Sequence, residues 1–229
     1  MSPSARHVVP ERMDAPDLAP KEHCQALNGL ARLNAVSRPL AGLTAVVRRA
    51  FAKLRRPVRV LDVACGGGDT VGRIIRWARR SGVPVECHGC DVSKIALTHA
   101  ALTVEVTHWH TCDVLADPLP AGFDVLTCSL FLHHVSDGDA ATLLGKMRDA
   151  AGSAVVVNDL TRGPLTLGLV TLGSRVLSRS PVVHFDAPAS VRAAFTPAEL
   201  RALAKGAGLD GATVRPVFPC RMVLTWERP

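Results

Sequence analysis

Aromatic residues and lysine are scarce in this chain. Aromatics make up 4% of its 229 residues, tyrosine is absent, and only five of the 27 basic residues are Lys. The formal net charge is +7, but the arginines are scattered along the chain rather than gathered into a stripe. Proteins that bind nucleic acids more often show a basic stripe interleaved with aromatic residues. We therefore expect a solvated basic face and no nucleic-acid partner.

Long hydrophobic runs are also absent. The longest apolar region, Leu165 to Leu177, is interrupted by Gly, Ser and Arg and is too short to span a bilayer. Residues 1–20 are polar and rich in proline, without the apolar segment of a secretory signal. Seven cysteines, an odd number, are spread through predicted core strands, a pattern typical of reduced thiols. These features predict a cytoplasmic protein without a transmembrane segment.

Strand-like and helix-like segments alternate through the middle of the chain. The predicted strands are Val58 to Ala64, Val83 to Cys90, Thr103 to His110, Phe123 to Ser129 and Ala154 to Val157. The predicted helices between them are Thr70 to Arg80, Ser93 to Ala101 and Gly138 to Ala150. This alternation predicts a doubly wound α/β fold, in which helices cover both faces of a parallel sheet. Two last strands, Ala212 to Phe218 and Arg221 to Trp226, leave no room for a crossover and must pair as an antiparallel hairpin.

The remaining segments are predicted to be mostly helical, and the length suits one well-buried domain. We expect an N-terminal helical cap over residues 1–56 and the α/β domain over residues 57–229. A capping box, TPAE at Thr196 to Glu199, begins the last predicted helix. The stretch from about residue 160 to residue 195 is longer than a plain connection needs. We interpret it as a lid over the ligand site; the alternative is that its apolar helix belongs to the core.

The glycine cluster after the first predicted strand indicates a ligand-binding loop, within VLDVACGGGDT at residues 60–70. A dinucleotide fingerprint fails in both registers, because Val71 follows where a small residue is needed after Gly66, and Asp69 stands where the second glycine is needed after Gly67. The P-loop pattern is absent too. An Asp in this loop would repel a pyrophosphate. We therefore expect a ligand without phosphate, with hydroxyl groups and a cationic part, and no nicotinamide oxidoreductase.

Acidic residues stand at the carboxyl ends of several predicted strands, where open α/β sheets bind ligands. The motif VLDVACGGGDT, together with CDV at residues 90–92, CDV at residues 112–114 and FDVLTCSLFLHHVSD at residues 123–137, resembles the class I S-adenosylmethionine-dependent methyltransferases. The last motif resembles their small-molecule, quinone-biosynthesis-like branch. The resemblance covers Val58 to Trp226. It implies a Rossmann-like, mostly parallel seven-stranded sheet that closes with an antiparallel hairpin, and S-adenosyl-L-methionine as the cofactor.

The resemblance also implies cofactor contacts. In that family the loop from Asp62 to Gly68 wraps the methionine part, the strand-two acid binds the ribose, the strand-three acid holds the adenine, and the strand-four end lies beside the sulfonium. Carried over, the implied contacts are Asp62, Ala64, Gly66, Gly68, Asp91, Val92, Asp113, Val114 and Ser129. Alternatively, Asp62 caps the following turn, Asp91 caps the helix at Ser93, and Asp113 is a turn residue. Ala64 stands where the family more often has Gly. Alanine is tolerated there if its backbone stays in the β region, so we expect only a small cost.

A methyl acceptor with a hydroxyl group needs a base, and the absence of tyrosine removes one choice. His133, in the pair His133-His134 after the fourth predicted strand, is one predicted catalytic residue. The alternative is that one histidine of the pair bonds a backbone carbonyl while the other is solvated. His184, close to Asp186 in the insertion, is the second predicted catalytic residue.

Two patterns of metal-binding residue types lack enough ligands for a site. Cys87 and Cys90 form a CxxC without a partner pair, and His108 and His110 share a strand face without a third ligand. We therefore expect no metal. The predicted function is methylation of a small aromatic or hydrophobic acceptor at oxygen or carbon. The alternatives are a nucleic-acid or protein methyltransferase and an inactive cofactor-binding interaction domain.

Overall fold

The computed structural model describes residues 5–15, 17–104 and 108–229, in which one seven-stranded sheet carries helices on both faces. The strands are β1 Val58–Val63, β2 Val85–Asp91, β3 His108–Thr111, β4 Phe123–Ser129, β5 Ala151–Leu160, β6 Thr213–Val217 and β7 Arg221–Glu227. The helices are α1 Pro20–Val36, α2 Leu43–Leu54, α3 Asp69–Ser81, α4 Lys94–Thr103, α5 Asp137–Ala150, α6 Pro164–Leu177, α7 Pro181–Ala193 and α8 Pro197–Gly206. Short 3-10 turns lie at Arg12–Asp14 and Leu132–His134.

The strand order is β3-β2-β1-β4-β5-β7-β6. Strands β1 to β5 pair in parallel, whereas β7 pairs antiparallel with both β5 and β6. The predicted doubly wound, mostly parallel sheet with a C-terminal hairpin is therefore confirmed. The chain order reverses between β1 and β4, which places a ligand crevice at the carboxyl ends of these two strands. No helix among the described residues is long and apolar enough to cross a membrane.

Local sequence signals explain most element boundaries. Side-chain hydrogen bonds cap three helices, because Ser93, Ser136 and Thr196 accept from backbone N–H groups of α4, α5 and α8 respectively. At α8 the predicted capping box is confirmed in both directions. The central strands β1 and β4 are buried along almost their whole length, as expected of parallel strands covered on both faces.

The boundaries of two predicted strands, the third and the fifth, differ most from the structure. The strand predicted from Thr103 to His110 begins only at His108, because Thr103 is the last residue of α4, and residues 105–107 lie outside the described residues. The strand predicted to end at Val157 continues to Leu160, because antiparallel pairing with β7 extends it. This extension brings Asn158 and Asp159 into the strand itself.

The segment predicted as a lid forms α6 and α7, and the N-terminal residues lie across α7. The guanidinium of Arg6 stacks on the Phe195 ring at 3.7 Å and donates to the carbonyls of Ala193 and Val135, each at 2.6 Å. The backbone N–H groups of Arg12 and Met13 donate to the Asp186 carboxylate at 2.9 and 3.0 Å. These contacts hold residues 6–13 against the end of the sheet where the crevice opens.

A substitution in β2 tests the packing beneath the crevice. A Cβ atom at Gly89 would lie 2.6 Å from the Trp109 ring and 2.7 Å from Cys65 Sγ. We expect Gly89→Ala to lower the free energy of unfolding by about 1–3 kcal/mol, the usual cost of overpacking, as measured by urea unfolding. Gly145→Ala is the control, because nothing lies within 4 Å of its Cβ position in α5 and alanine favours a helix interior. Equal effects of the two substitutions would contradict this packing argument.

Candidate functional site

A cavity of about 530 Å³ opens at the carboxyl ends of β1, β2 and β4. Its floor is the glycine loop after β1, and α1, α7 and residues Glu11 and Met13 contribute to its walls. Eight of the predicted site residues line it: Asp62, Ala64, Gly66, Gly68, Asp91, Val92, Ser129 and His133. The structure therefore brings most of the predicted site together.

The glycine loop has a left-handed backbone at several positions. Gly66 and Gly68 have φ values of 50° and 75°, which glycine adopts without steric cost. Ala64 also has a left-handed φ of 54°, so the condition for the expected small cost, a backbone in the β region, is not met. Ala64 lies where β1 passes into the turn of the glycine loop, between the last pair of the β1–β2 ladder and Cys65, whose N–H donates to Cys90 O at 3.0 Å. Leu130, directly after β4, is left-handed as well (φ 56°), so strained backbone lies on both sides of the cavity floor.

Three buried polar atoms in the cavity walls have no hydrogen-bond partner among the described residues. They are Asp62 Oδ1, Asp69 Oδ2 and Ser129 Oγ. Buried polar groups in native proteins are almost always paired, so orphaned acceptors indicate where a ligand binds. Two of the three belong to carboxylates, and the carboxylates of Asp91 and Glu11 also line the cavity. This set of acceptor oxygens fits a ligand with a cationic part and hydroxyl groups.

Burial raises the pKa of Asp62 well above its usual range, and the negative charges of Asp69 and Asp91 raise it further. The folded chain therefore binds a proton at Asp62 at pH values where the unfolded chain, with a pKa of about 3.9, has lost it. Consequently this carboxyl makes the ligand-free fold less stable as the pH rises from about 4. A cation bound beside Asp62 would favour its ionised form and so offset this loss of stability.

Asp62→Asn tests this electrostatic arrangement. We expect the variant to have a larger free energy of unfolding than the unmodified chain near neutral pH. The substitution removes a group that can be charged while buried, and it leaves the side-chain volume almost unchanged. The difference should vanish below about pH 3, where Asp62 is protonated in both states. Above about pH 4 it should grow by up to about 1.4 kcal/mol per pH unit until the pH reaches the raised pKa of the folded state. Urea unfolding at a series of pH values measures it. A difference that does not change with pH would contradict the argument.

Asp91 links the glycine loop to the next helix. Its Oδ2 accepts from Gly66 N–H and its Oδ1 from Ser93 N–H, both at 2.8 Å. The alternative of a helix-capping role is wrong for Asp91, because Ser93 is the N-cap of α4 and Asp91 only accepts from its N–H. Each carboxylate oxygen of Asp91 retains a free lone pair. Val92, next in sequence, is 65% exposed at the cavity rim, where it can contact a flat ligand group.

Asp113 and Val114 are not among the residues that line the cavity. Asp113 Oδ1 accepts from the N–H groups of Leu115 and Ala116, which makes it the turn residue of the alternative interpretation. Val114 is buried in the core. Their predicted contact with adenine stays a prediction without support from the cavity.

His133 is held by a buried carboxylate. Its Nδ1 lies 2.6 Å from Asp159 Oδ1, and both side chains are nearly inaccessible, at 4% and 1%. Burial alone would raise the pKa of Asp159, but the charge and hydrogen bond of His133 and the N–H of Leu160 lower it below its usual value. An ionised Asp159 places the imidazole proton on Nδ1. The other nitrogen, Nε2, faces Glu11 Oε1 at 3.8 Å beside the cavity.

His184 lies elsewhere. Its Nε2 is 2.8 Å from the carbonyl oxygen of Ser178, and the residue does not line the cavity. Its sequence neighbour Asp186 accepts from the backbone of the N-terminal segment. The structure thus does not bring His184 to the other predicted site residues, and its catalytic role stays a prediction that this placement does not support.

Three residues of the site were missed by the sequence analysis: Glu11, Asp159 as the partner of His133, and Arg221. Arg221 lines the cavity although it is 1% exposed, and it donates to Ser37 Oγ, Asn158 Oδ1 and Asn34 Oδ1 at 2.8 to 3.0 Å. All three acceptors are neutral, and burial lowers the pKa of this guanidinium. Of these three residues, only Asp159 had a signal in the sequence, because acidic residues stand at the carboxyl ends of several predicted strands.

One group of described residues approaches the spacing of a metal site. The donor atoms of Glu11, His133 and His134 lie within 4.8 Å of one another, and each Nε2 is 3.8 to 3.9 Å from Glu11 Oε1. Ligands about 2.0–2.1 Å from a tetrahedral zinc ion lie closer together than this. The group would have to contract to share an ion, and the expected absence of a metal stays a prediction.

The two other patterns with metal-ligand residues lie away from the cavity. Burial raises the pKa of Cys87 and of Cys90 to about 12, so both remain thiols rather than metal-binding thiolates at neutral pH. On the neighbouring strand, His110 Nε2 lies 2.9 Å from His88 Nδ1. This hydrogen bond gives His110, one of the pair His108 and His110, a partner other than a metal ion.

Comparisons with known proteins agree with this geometry. Residues 60–152 match a family model described as "Methyltransferase domain". The chain is 29% identical over 154 residues to the ubiquinone biosynthesis O-methyltransferase of Pseudomonas putida, covering 66% of this chain and 64% of that protein. The protein of the same name from Alkalilimnicola ehrlichii is 32% identical over 166 residues, or 69% of this chain and 60% of that one. The chain therefore spans less than two thirds of these curated relatives.

Solved structures share the fold. Human N-acetylserotonin methyltransferase in complex with SAM aligns with a TM-score of 0.65 and 18% identity, over 92% of this chain and 56% of that chain. The plantazolicin methyltransferase BpumL in complex with SAH aligns with a TM-score of 0.62 and 12% identity, over 92% and 96% of the two chains. At such low identities the alignments establish the architecture alone.

Proposed function

We propose that this chain is a class I S-adenosylmethionine-dependent methyltransferase, as the match of residues 60–152 to a methyltransferase domain and the names of its relatives suggest. We propose further that it methylates a hydroxyl oxygen of a small aromatic or hydrophobic acceptor. The observation that carries the proposal is the meeting, in one cavity, of three orphaned buried acceptor atoms with a histidine oriented by a buried carboxylate. The names of the curated relatives also favour oxygen over carbon as the methylated atom.

The cofactor would supply an electrophilic methyl group bonded to a positively charged sulfur. Asp62, Asp69 and Ser129 offer unpaired oxygen atoms to its cationic and amino groups. The backbone of Ala64, Gly66 and Gly68 approaches closely because these residues carry no large side chain. Asp91 would accept from the ribose hydroxyls with its remaining lone pairs, and Val92 would pack against the adenine. Hydrogen bonds from Gly66 N–H, Ser93 N–H and Arg73 hold the carboxylates of Asp91 and Asp69 before binding, so their negative charge is preorganised for the cation.

His133 acts as the general base of the proposed reaction. Its Nε2 accepts the acceptor's hydroxyl proton while Asp159 holds the opposite nitrogen, so the imidazolium that forms lies 2.6 Å from a carboxylate oxygen. Glu11, whose Oε1 lies 3.8 Å from Nε2, adds a second negative charge on the other side. The low exposure of His133 keeps water from competing for the same position.

The acceptor part of the cavity is apolar with one buried cation. Leucines of α1 line it, namely Leu27, Leu30 and Leu33, together with Leu160 and Val170. Arg221 is the cation, and its guanidinium has five N–H donors, of which three bond neutral oxygens. This combination favours an aromatic ring that carries an anionic or oxygen-rich substituent. We assign residues 1–56 to a cap and α6 with α7 to a lid over this acceptor.

Titration calorimetry with S-adenosylhomocysteine tests the cofactor site, with NADH and NADPH as controls. We expect binding of the first and no heat from the other two. Absence of S-adenosylhomocysteine binding would overturn the proposal. Transfer of a labelled methyl group to a panel of phenols and catechols, with products identified by mass spectrometry, then tests the reaction. Binding without transfer to any acceptor would favour the alternative of an inactive cofactor-binding domain.

We also propose that the chain works in a reducing compartment, as expected of the cytoplasm. All seven cysteines are unpaired, and six of them are buried. Oxidation of such thiols would require the core to open, so a reducing environment matches their use.

A further inference from the structure

An open groove of about 680 Å³ lies beside the cavity, and arginines dominate its lining. It runs between the loop that joins α1 to α2, one side of α3 and the β6–β7 hairpin. Five arginines line it: Arg38, Arg73, Arg76, Arg80 and Arg215. No acidic residue is among the described residues of this lining. We call it the arginine groove.

The charge of the arginine groove is largely uncompensated. Arg73 pairs with Asp69 at 2.9 Å across the boundary with the cavity. In the described part of the chain, none of the other four arginines has a side-chain nitrogen within 4.0 Å of a carboxylate oxygen. Like charges gathered in a concave surface repel one another and strengthen the local positive potential. The groove therefore attracts anions more strongly than scattered surface arginines do.

The loop at one end of the groove is held in an unfavourable conformation. Arg38 has a left-handed φ of 55°, which residues with a side chain rarely adopt. The buried side chain of Asn158 maintains this conformation, because its Nδ2 donates to the carbonyls of Arg38 and Pro39 at 3.3 and 2.9 Å. The position of Arg38 at the groove is thus set by the core of the sheet and does not depend on a flexible loop.

We propose that the arginine groove binds a small ligand that carries two or more phosphate groups. Guanidinium groups match phosphate oxygens in bidentate pairs, and several phosphates are needed to offset four uncompensated arginines. The groove volume is typical of small-molecule sites. A nucleic-acid groove would combine a long basic track with several aromatic side chains, whereas Phe218 is the one aromatic residue among the described lining.

The ligand would lie next to the proposed acceptor site. Pro39 and Arg76 line both the arginine groove and the cavity. The phosphates would nevertheless stay outside the glycine loop, whose carboxylates repel them. Binding in the groove goes beyond the proposed methyl transfer and is measurable whether or not the transfer occurs.

Sodium tripolyphosphate is the probe, and titration calorimetry on the whole chain is the measurement, at low ionic strength and again at about 0.15 M salt. The double variant Arg80→Gln/Arg215→Gln removes two exposed groove charges, and neither residue lines the cavity. Its matched control is Arg175→Gln/Arg192→Gln, which removes two exposed charges outside the groove. Thermal unfolding and S-adenosylhomocysteine binding of each variant verify that the fold is intact.

We expect the unmodified chain to bind tripolyphosphate, the groove variant to bind it at least about tenfold more weakly, and the control to bind it within about twofold of the unmodified chain. Equal weakening in both double variants would mean that net charge alone attracts the probe, and would overturn the site. No binding to the unmodified chain would overturn it as well. Tighter binding of a single-stranded oligonucleotide at the higher salt concentration, lost only in the groove variant, would replace the small ligand with a nucleic acid.

Discussion

His133→Gln lowers kcat by about 10²- to 10⁴-fold, the usual contribution of a general base, with any acceptor that the unmodified chain methylates. Glutamine can still donate to Asp159, so the buried carboxylate keeps a hydrogen-bond partner and the variant avoids the cost of an unpaired buried charge. It cannot take up a proton near neutral pH. The affinity for S-adenosylhomocysteine stays the same, because the glycine loop and its carboxylates are untouched. Initial rates at saturating acceptor and calorimetry measure the two quantities.

The two predicted catalytic histidines provide a matched comparison. His184→Gln leaves kcat unchanged within about twofold, since this side chain bonds the carbonyl of Ser178 outside the cavity. Asp159→Asn lowers kcat because an amide no longer selects the tautomer with the proton on Nδ1. Full activity of His133→Gln would show that the acceptor loses its proton without this residue. A large loss in His184→Gln would mean that α7 moves to the cavity during catalysis.

Asp91→Ala weakens S-adenosylhomocysteine binding by about 1.5–3 kcal/mol, the usual cost of losing hydrogen bonds to a charged group. This free energy corresponds to roughly a 13- to 160-fold higher Kd. Two effects contribute, because Asp91 faces the ligand and also holds Gly66 N–H at 2.8 Å. Asp91→Asn keeps an acceptor oxygen and is expected to lose less. Titration calorimetry of both variants separates the charge from the hydrogen bond.

Asp113→Ala is the control for Asp91→Ala. It removes the corresponding acid after β3, whose carboxylate accepts from a turn outside the cavity. We expect its Kd to stay within about twofold of the unmodified value. A loss as large as that of Asp91→Ala would show that the adenine contact implied by the family resemblance is correct, and that the cofactor site extends beyond the cavity described above.

Most elements could be predicted because their signals are local. The capping box at Thr196 to Glu199 and the tight link between β6 and β7 each involve neighbouring residues, and both predictions are confirmed. The predictions failed where the signal was ambiguous or distant. The apolar and aromatic residues near Thr103 fit a strand by composition, but α4 continues to Thr103. The extension of β5 depends on β7, which lies more than sixty residues later in the chain.

The same distinction between local and distant signals applies to the residues of the site. The glycine loop and Asp91 could be placed from their order along the chain, since parallel strands align their carboxyl ends at one edge of the sheet. No local pattern predicted that Glu11 lies 3.8 Å from His133, because residues 6–13 reach it only by bonding to α7 and its neighbours. Ala64 likewise adopts a conformation that its side chain disfavours, because the turn around it requires one.

The sequence by itself determined the alternation of strands and helices in a doubly wound sheet, the closing hairpin and a loop suited to a cationic ligand. These features follow from side-chain periodicity, turn residues and charge among contiguous residues. Only the tertiary structure decided which histidine is oriented, which arginine is buried and where the other arginines gather. Such features join residues from distant segments, and packing between helices and strands sets their distances. The arginines that appear scattered along the chain form one groove because α3, the loop after α1 and β6 meet there.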